Sequence, residues 1–101
     1  MDFEGILCDE NHTEIYYLTK RACSEWREIG MNLGFTENEL SAIPREPGRT
    51  QELHYYSAML MKWLDWAPPK HYLPSIQRLS SALREVGKER VAFELEQNYS
   101  L

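Results

Sequence analysis

The 101-residue sequence has almost nothing from which to build a sheet. Valine is scarce, no stretch alternates β-branched with polar residues, and neither Asn-Gly nor Asp-Gly offers a hairpin turn. Long hydrophobic runs are missing too: none approaches the roughly 18 residues that read as a membrane span. Met1-Asp2-Phe3-Glu4 lacks the basic start of a secretory signal. Cysteine is limited to Cys8 and Cys23, too few for a disulfide scaffold. Two thiols without a signal peptide read as reduced and cytoplasmic, with a single bridge left open. Basic charge is also short, at 11 Lys and Arg against 16 Asp and Glu, a formal net charge of -5. That balance excludes a nucleic-acid binder, a helix-turn-helix reader included, because a basic face would have to supply most of the affinity. It equally disfavours attraction to anionic membranes.

Catalytic and ligand-binding patterns are missing in the same way. His12, His54 and His71 do not pair with one another or with cysteine at a metal-ligand spacing. The five glycines are dispersed, so no phosphate-cradling loop is written. Cys23 has Lys20 and Arg21 nearby, which could lower a thiol pKa, yet no His stands beside it to complete a nucleophilic set. It reads as a small apolar residue. Acidic pairs such as Glu37/Glu39 and Glu94/Glu96 read as solvated helix faces. The sequence therefore predicts no enzyme, no cofactor, no metal and no small-molecule substrate.

What is present is helix. A chain of this length, 43% hydrophobic, is one domain that buries enough surface to fold without disulfides or a metal. Residues 1–12 form a lead-in in which Phe3, Ile6 and Leu7 could dock on the body. A first helix is predicted from Thr13 as N-cap, with Ile15, Leu18 and Ala22 at helical spacing. The second runs from about Ser24 to Leu33, with Trp26, Ile29, Gly30 and Leu33 on one face and Gly34 placed to end it. Thr36 and Glu39 match a capping box that opens a short third helix carrying Leu40 and Ile43. A long fourth helix is expected from about Thr50 to Trp66, its seam marked by Leu53, Tyr56, Leu60 and Leu64 and widened by Met59 and Trp63. Pro74 suits the first turn of a fifth helix carrying Ile76, Leu79, Ala82, Leu83 and Val86, closed by Gly87. The sixth, about Lys88 to Gln97, offers Val91, Ala92 and Leu95 to the core. Trp26 and Trp63 read as core. Trp66, beside Pro68-Pro69, reads as an exposed anchor for a partner or as a lid on the bundle end.

These pieces, in this order, resemble the death domain. Trp26-Arg27-Glu28-Ile29-Gly30 followed by Leu33-Gly34-Phe35-Thr36 is similar to the family's W-x-x-L-A-x-x-L-G-L-S/T second helix and turn, with Gly30 where Ala is usual. Glu39-Leu40 with Ile43 resembles the third helix, and Met59-Leu60 with Trp63 the L-L-x-x-W of the fourth. Leu79, Ala82-Leu83 and Val86-Gly87 resemble the L-x-x-A-L-x-x-I/V-G of the fifth, and Ala92 with Leu95 fits the sixth. The match spans residues 13–97, leaving a tail at 98–101; the loop at 67–73 is longer and richer in proline than the family pattern. The second helix is most similar to death domains at the ends of large proteins such as netrin receptors and ankyrins. The resemblance implies an all-α, six-helix antiparallel Greek-key bundle. It implies an intracellular signalling module, in apoptosis or inflammation, that binds other death-domain proteins or its own copies. An autoinhibitory module docking on its own parent protein is the alternative.

Residues for such contacts are sought among charges off the buried faces. Glu25, Glu28, Glu37, Glu39, Arg45 and Glu46 make the second and third helices mostly acidic. Arg84, Lys88 and Arg90 make a basic corner between the fifth and sixth. An acidic end and a basic corner on one domain could pair head to tail, and Trp66 adds an aromatic candidate.

Overall fold

A computed structural model describes residues 7, 9–48, 51–65 and 74–99. Every regular element among them is helical: α1 (His12–Thr19), α2 (Trp26–Leu33), α3 (Glu37–Ala42), α4 (Glu52–Leu64), α5 (Ile76–Glu85) and α6 (Glu89–Asn98). Short 3-10 segments at Asp9–Asn11, Lys20–Glu25 and Ile43–Arg45 precede α1, join α1 to α2 and follow α3. The predicted all-α bundle is the observed one. Cys8, Thr50, Trp66, the loop at 67–73 with His71, and residues 1–6 and 100–101 lie outside the described residues.

Local chemistry explains most helix ends. Gly34 takes φ 113°, a left-handed turn that favours glycine. The Phe35 amide then donates to the Gly30 carbonyl and the Gly34 amide to Met31, so the last carbonyls of α2 are satisfied while Phe35 folds into the core. The predicted capping box is present: Thr36 Oγ1 accepts from the Glu39 amide at 3.1 Å, and a Glu39 carboxylate oxygen accepts from the Thr36 amide at 2.8 Å. Thr36→Ala removes the acceptor half of that exchange and is expected to cost about 1 kcal/mol in urea unfolding. A change near zero would mean that α3 is held by packing alone. Gly87, at φ 81°, closes α5 as predicted, and the Lys88 amide reaches back to the Leu83 carbonyl.

Three predicted boundaries shift, each for a local reason. Thr13 is not a cap; it lies inside α1 because the preceding 3-10 turn leaves Asn11 already in helical geometry. The join between the first two helices is not a short break at Cys23. It is a 3-10 stretch, along and beside which Thr19, Ala22 and Trp26 all turn to the core. Pro74 stands before α5 rather than in its first turn. Ser75 is the cap, extended at φ −149°, with its hydroxyl accepting from the Arg78 amide at 3.2 Å. The Pro74 carbonyl takes the Leu7 amide at 3.0 Å, which ties the start of the chain to the approach of α5 and buries Leu7.

The last helix closes the bundle by packing on both α1 and α5. The α1–α6 pair is antiparallel: Glu14 near the start of α1 accepts from the Tyr99 hydroxyl just past α6, and Arg21 just past α1 pairs with Glu94. α4 runs through the middle, in contact with α1, α2 and both adjoining 3-10 segments. Its Tyr56, Met59, Leu60 and Trp63 are fully buried, and Trp26 is buried beside them, as the periodicity predicted.

Candidate interaction surfaces

The acidic end is built on α2, α3 and the turn after them. Capping spends Glu39, whose carboxylate holds the Thr36 amide. Glu46 is held by Lys62 of α4 at 3.1 Å. Glu28 and Glu37 project to solvent, as does Arg45 from the 3-10 turn.

At the basic corner the pairing is tighter. Arg84 grips Glu96 with both terminal nitrogens, at 2.6 and 2.9 Å. That fork holds the Glu96 carboxyl down at about 2, well below the ordinary carboxylate range, and raises the Arg84 guanidinium further. Both therefore stay charged throughout the physiological range. Lys88 reaches across to Glu25 at 3.5 Å. Arg90 is exposed on α6, beside Glu89, Phe93 and Glu94.

The tertiary structure thus brings together two residues assigned from sequence to opposite regions. Because the start of α2 packs beside the end of α5, Glu25 and Lys88 neutralise each other within one chain. Glu28, Glu37, Arg45 and Arg90 remain exposed with no ion-pair partner among the described residues. Trp66, the aromatic candidate, lies outside the described residues.

Several surface features escaped the sequence reading. Lys20 sits over the Tyr17 ring at 4.8 Å, and Arg27 over the Trp26 indole at 5.0 Å. Spacings of three and one residues are so common that neither carried a signal. Met61 and Phe93 stand out from α4 and α6 at 48% and 56% exposure. Phe93 was detectable, since it falls two positions from both Val91 and Leu95, hence on the opposite face of a helix.

No chemistry gathers at Cys23. Its thiol is half-buried, and burial, with Glu52 and Glu25 adding to it, pushes the pKa up rather than down. Lys20 and Arg21 do not lower it, and Arg21 is turned to Glu94. Among the described residues no three His, Cys, Asp or Glu side chains converge as a metal site, and no helix is long and apolar enough to cross a membrane.

A family model described as Death domain matches residues 13–99. No curated protein and no solved structure matches the chain.

Proposed function

The chain belongs to the death-domain family, whose members are protein-interaction modules, and from that premise we propose that it binds other death-domain chains by charge-guided contacts. The observation that carries this reading is the set of exposed charges left over after internal pairing. Glu28 and Glu37 lie on α2 and α3, Arg45 on the turn that follows, and Arg90 on α6. Internally paired charges already have their counter-charge, so a partner gains little from them. Unpaired charges of both signs steer encounter and set orientation. The setting we assign is intracellular signalling of the apoptotic or inflammatory kind.

Purified chain would be titrated against a panel of death-domain proteins, with itself included, by calorimetry at low and high salt. For the pairs that bind, Glu28→Lys with Glu37→Lys, or Arg45→Glu with Arg90→Glu, should weaken affinity about tenfold or more, roughly 1.4 kcal/mol. Binding should also fall as salt rises. Circular dichroism should stay unchanged, because none of the four side chains supports the core. No binding to any member of the panel, or equal affinity from all variants, would reject the reading.

A further inference from the structure

Tyr99 stands just past the last helix and reaches back to the first. Its ring packs half-buried against the core, and its hydroxyl emerges beside the start of α1. There it donates to a Glu14 carboxylate oxygen at 2.6 Å, with the Asn11 side chain as a second polar neighbour. Burial first, and then the Glu14 carboxylate, push the phenol pKa up, so the hydroxyl keeps its proton and the clamp holds. Arg21, just past α1, ties to Glu94 of α6 further along the same pair.

Backbone geometry separates this hydroxyl from the others. Among the described tyrosines, Tyr16 and Tyr17 lie on α1, and Tyr55 and Tyr56 on α4, Tyr56 fully buried. A tyrosine inside a helix must unwind its neighbours before its backbone can lie extended in a kinase cleft, and a buried one must also leave the core. Tyr99 is already outside the helix, at φ −118° and ψ 39°. Its amide bonds to the Leu95 and Glu96 carbonyls at 3.2 Å, a terminal contact of the kind that frays at low cost.

We propose that Tyr99 is a phosphorylation site for a protein tyrosine kinase, and that the added phosphate opens the Tyr99–Glu14 clamp. In the transfer, Tyr99 Oη bonds to the γ-phosphorus of ATP and the bond from that phosphorus to the β,γ-bridging oxygen breaks. ADP leaves, and the phenolic proton passes to the kinase's base. The donated hydrogen is thereby lost, and a group of about two negative charges stands against a carboxylate. The start of α1 attracts an anion, but with only about half a charge spread over its first amides. Glu14 opposes with a full charge at contact, so repulsion prevails. Opening stays local, because α6 remains packed on α5 and its Val91, Ala92 and Leu95 stay buried. This modification is independent of the homotypic contacts proposed above.

Treating the purified chain with a panel of protein tyrosine kinases, magnesium and ATP tests this, with sites mapped by peptide mass spectrometry. Tyr99 should take phosphate faster than the helical Tyr16, Tyr17, Tyr55 and Tyr56, and Tyr99→Phe should lose that product. Amide hydrogen exchange by NMR then reads the clamp. The Tyr99 amide should exchange about tenfold faster after phosphorylation, with the α5 amides unchanged. Glu14→Gln removes the opposing charge and keeps a carbonyl acceptor for the unmodified hydroxyl. In that variant phosphorylation should speed exchange much less. No transfer to Tyr99 by any kinase of the panel, or faster transfer to a helical tyrosine, would overturn the site. Unchanged exchange at phosphorylated Tyr99 would overturn the opening of the clamp. Equal acceleration in Glu14→Gln would overturn charge repulsion as its cause.

Discussion

Gly30→Val is expected to lower the stability of the domain by about 3 kcal/mol or more, measured by urea or thermal unfolding. A β-carbon built at Gly30 lies 2.6 Å from Leu40 Cδ2, 2.9 Å from Met59 Sδ and 3.3 Å from Leu40 Cδ1. Both neighbours are fully buried, so their side-chain ends can give way by a few tenths of an ångström but not by the width of further carbons. Alanine is a milder case. Its single methyl meets the ends of two side chains that can shift, and it gains about 1 kcal/mol of helix propensity over glycine. Gly30→Ala should therefore change stability by no more than about 1 kcal/mol. Valine adds two more carbons on a stiff branch that cannot swing away inside a helix. Overpacking of this kind costs roughly 1–3 kcal/mol, and the branching puts this site at the upper end. For a domain of this size that is a fall in Tm of at least about 12 °C. A valine variant within 0.5 kcal/mol of wild type, on the same order as an ordinary surface substitution, would show that α2 does not approach α3 and α4 this closely.

The second large effect concerns a hydrogen-bonded polar pair among the described core residues. Thr19 and Tyr56 are each 0% exposed, and their hydroxyl oxygens lie 2.5 Å apart. Thr19 Oγ1 also donates to the Ile15 carbonyl at 2.8 Å. Its only hydrogen is thus committed, so Tyr56 is the donor and Thr19 the acceptor. Burial drives the Tyr56 pKa well above its usual value, so the phenol keeps the hydrogen it donates.

That direction makes the single substitutions unequal. Thr19→Val keeps the shape but leaves a buried phenol with no acceptor, at a cost of about 2 kcal/mol. Tyr56→Phe leaves Thr19 still bonded to Ile15 and should cost only about 1 kcal/mol. The double variant is apolar on both sides and should be no less stable than Thr19→Val alone. A double-mutant cycle measures this, with a coupling of about 1 kcal/mol expected. Simple addition of the two losses would mean that the hydroxyls do not pair.

Helix content, helix order and the buried stripe of each helix were legible because they follow from local rules. Trp26 and Ile29, Tyr56 and Trp63, Leu79 and Leu83 declare their faces by spacing alone. The Thr36–Glu39 box and the Gly34 turn were legible for the same reason, since each closes within a few residues. Thr19 was harder. It lies four residues after Ile15 and so on the buried face, but nothing nearby in sequence announces Tyr56 as its partner. The 3-10 join at Lys20–Glu25 was missed because Lys20, Arg21 and Ala22 are ordinary helix formers. Only packing against α4 selects the tighter turn.

The candidate surface divides along the same line. By itself the sequence determined that this is a helical protein with an acidic balance, and its ordered motifs pointed to the death domain. Residue types and short-range spacing are sufficient for that, because helices are written in periods of a few residues. Which charges remain available was decided only by the tertiary structure. Glu25 meets Lys88 across 63 positions of chain, Glu46 meets Lys62, and Arg84 closes on Glu96. An ion pair depends on a distance of a few ångströms, and no pattern along the chain encodes that distance until helices from its two ends lie side by side.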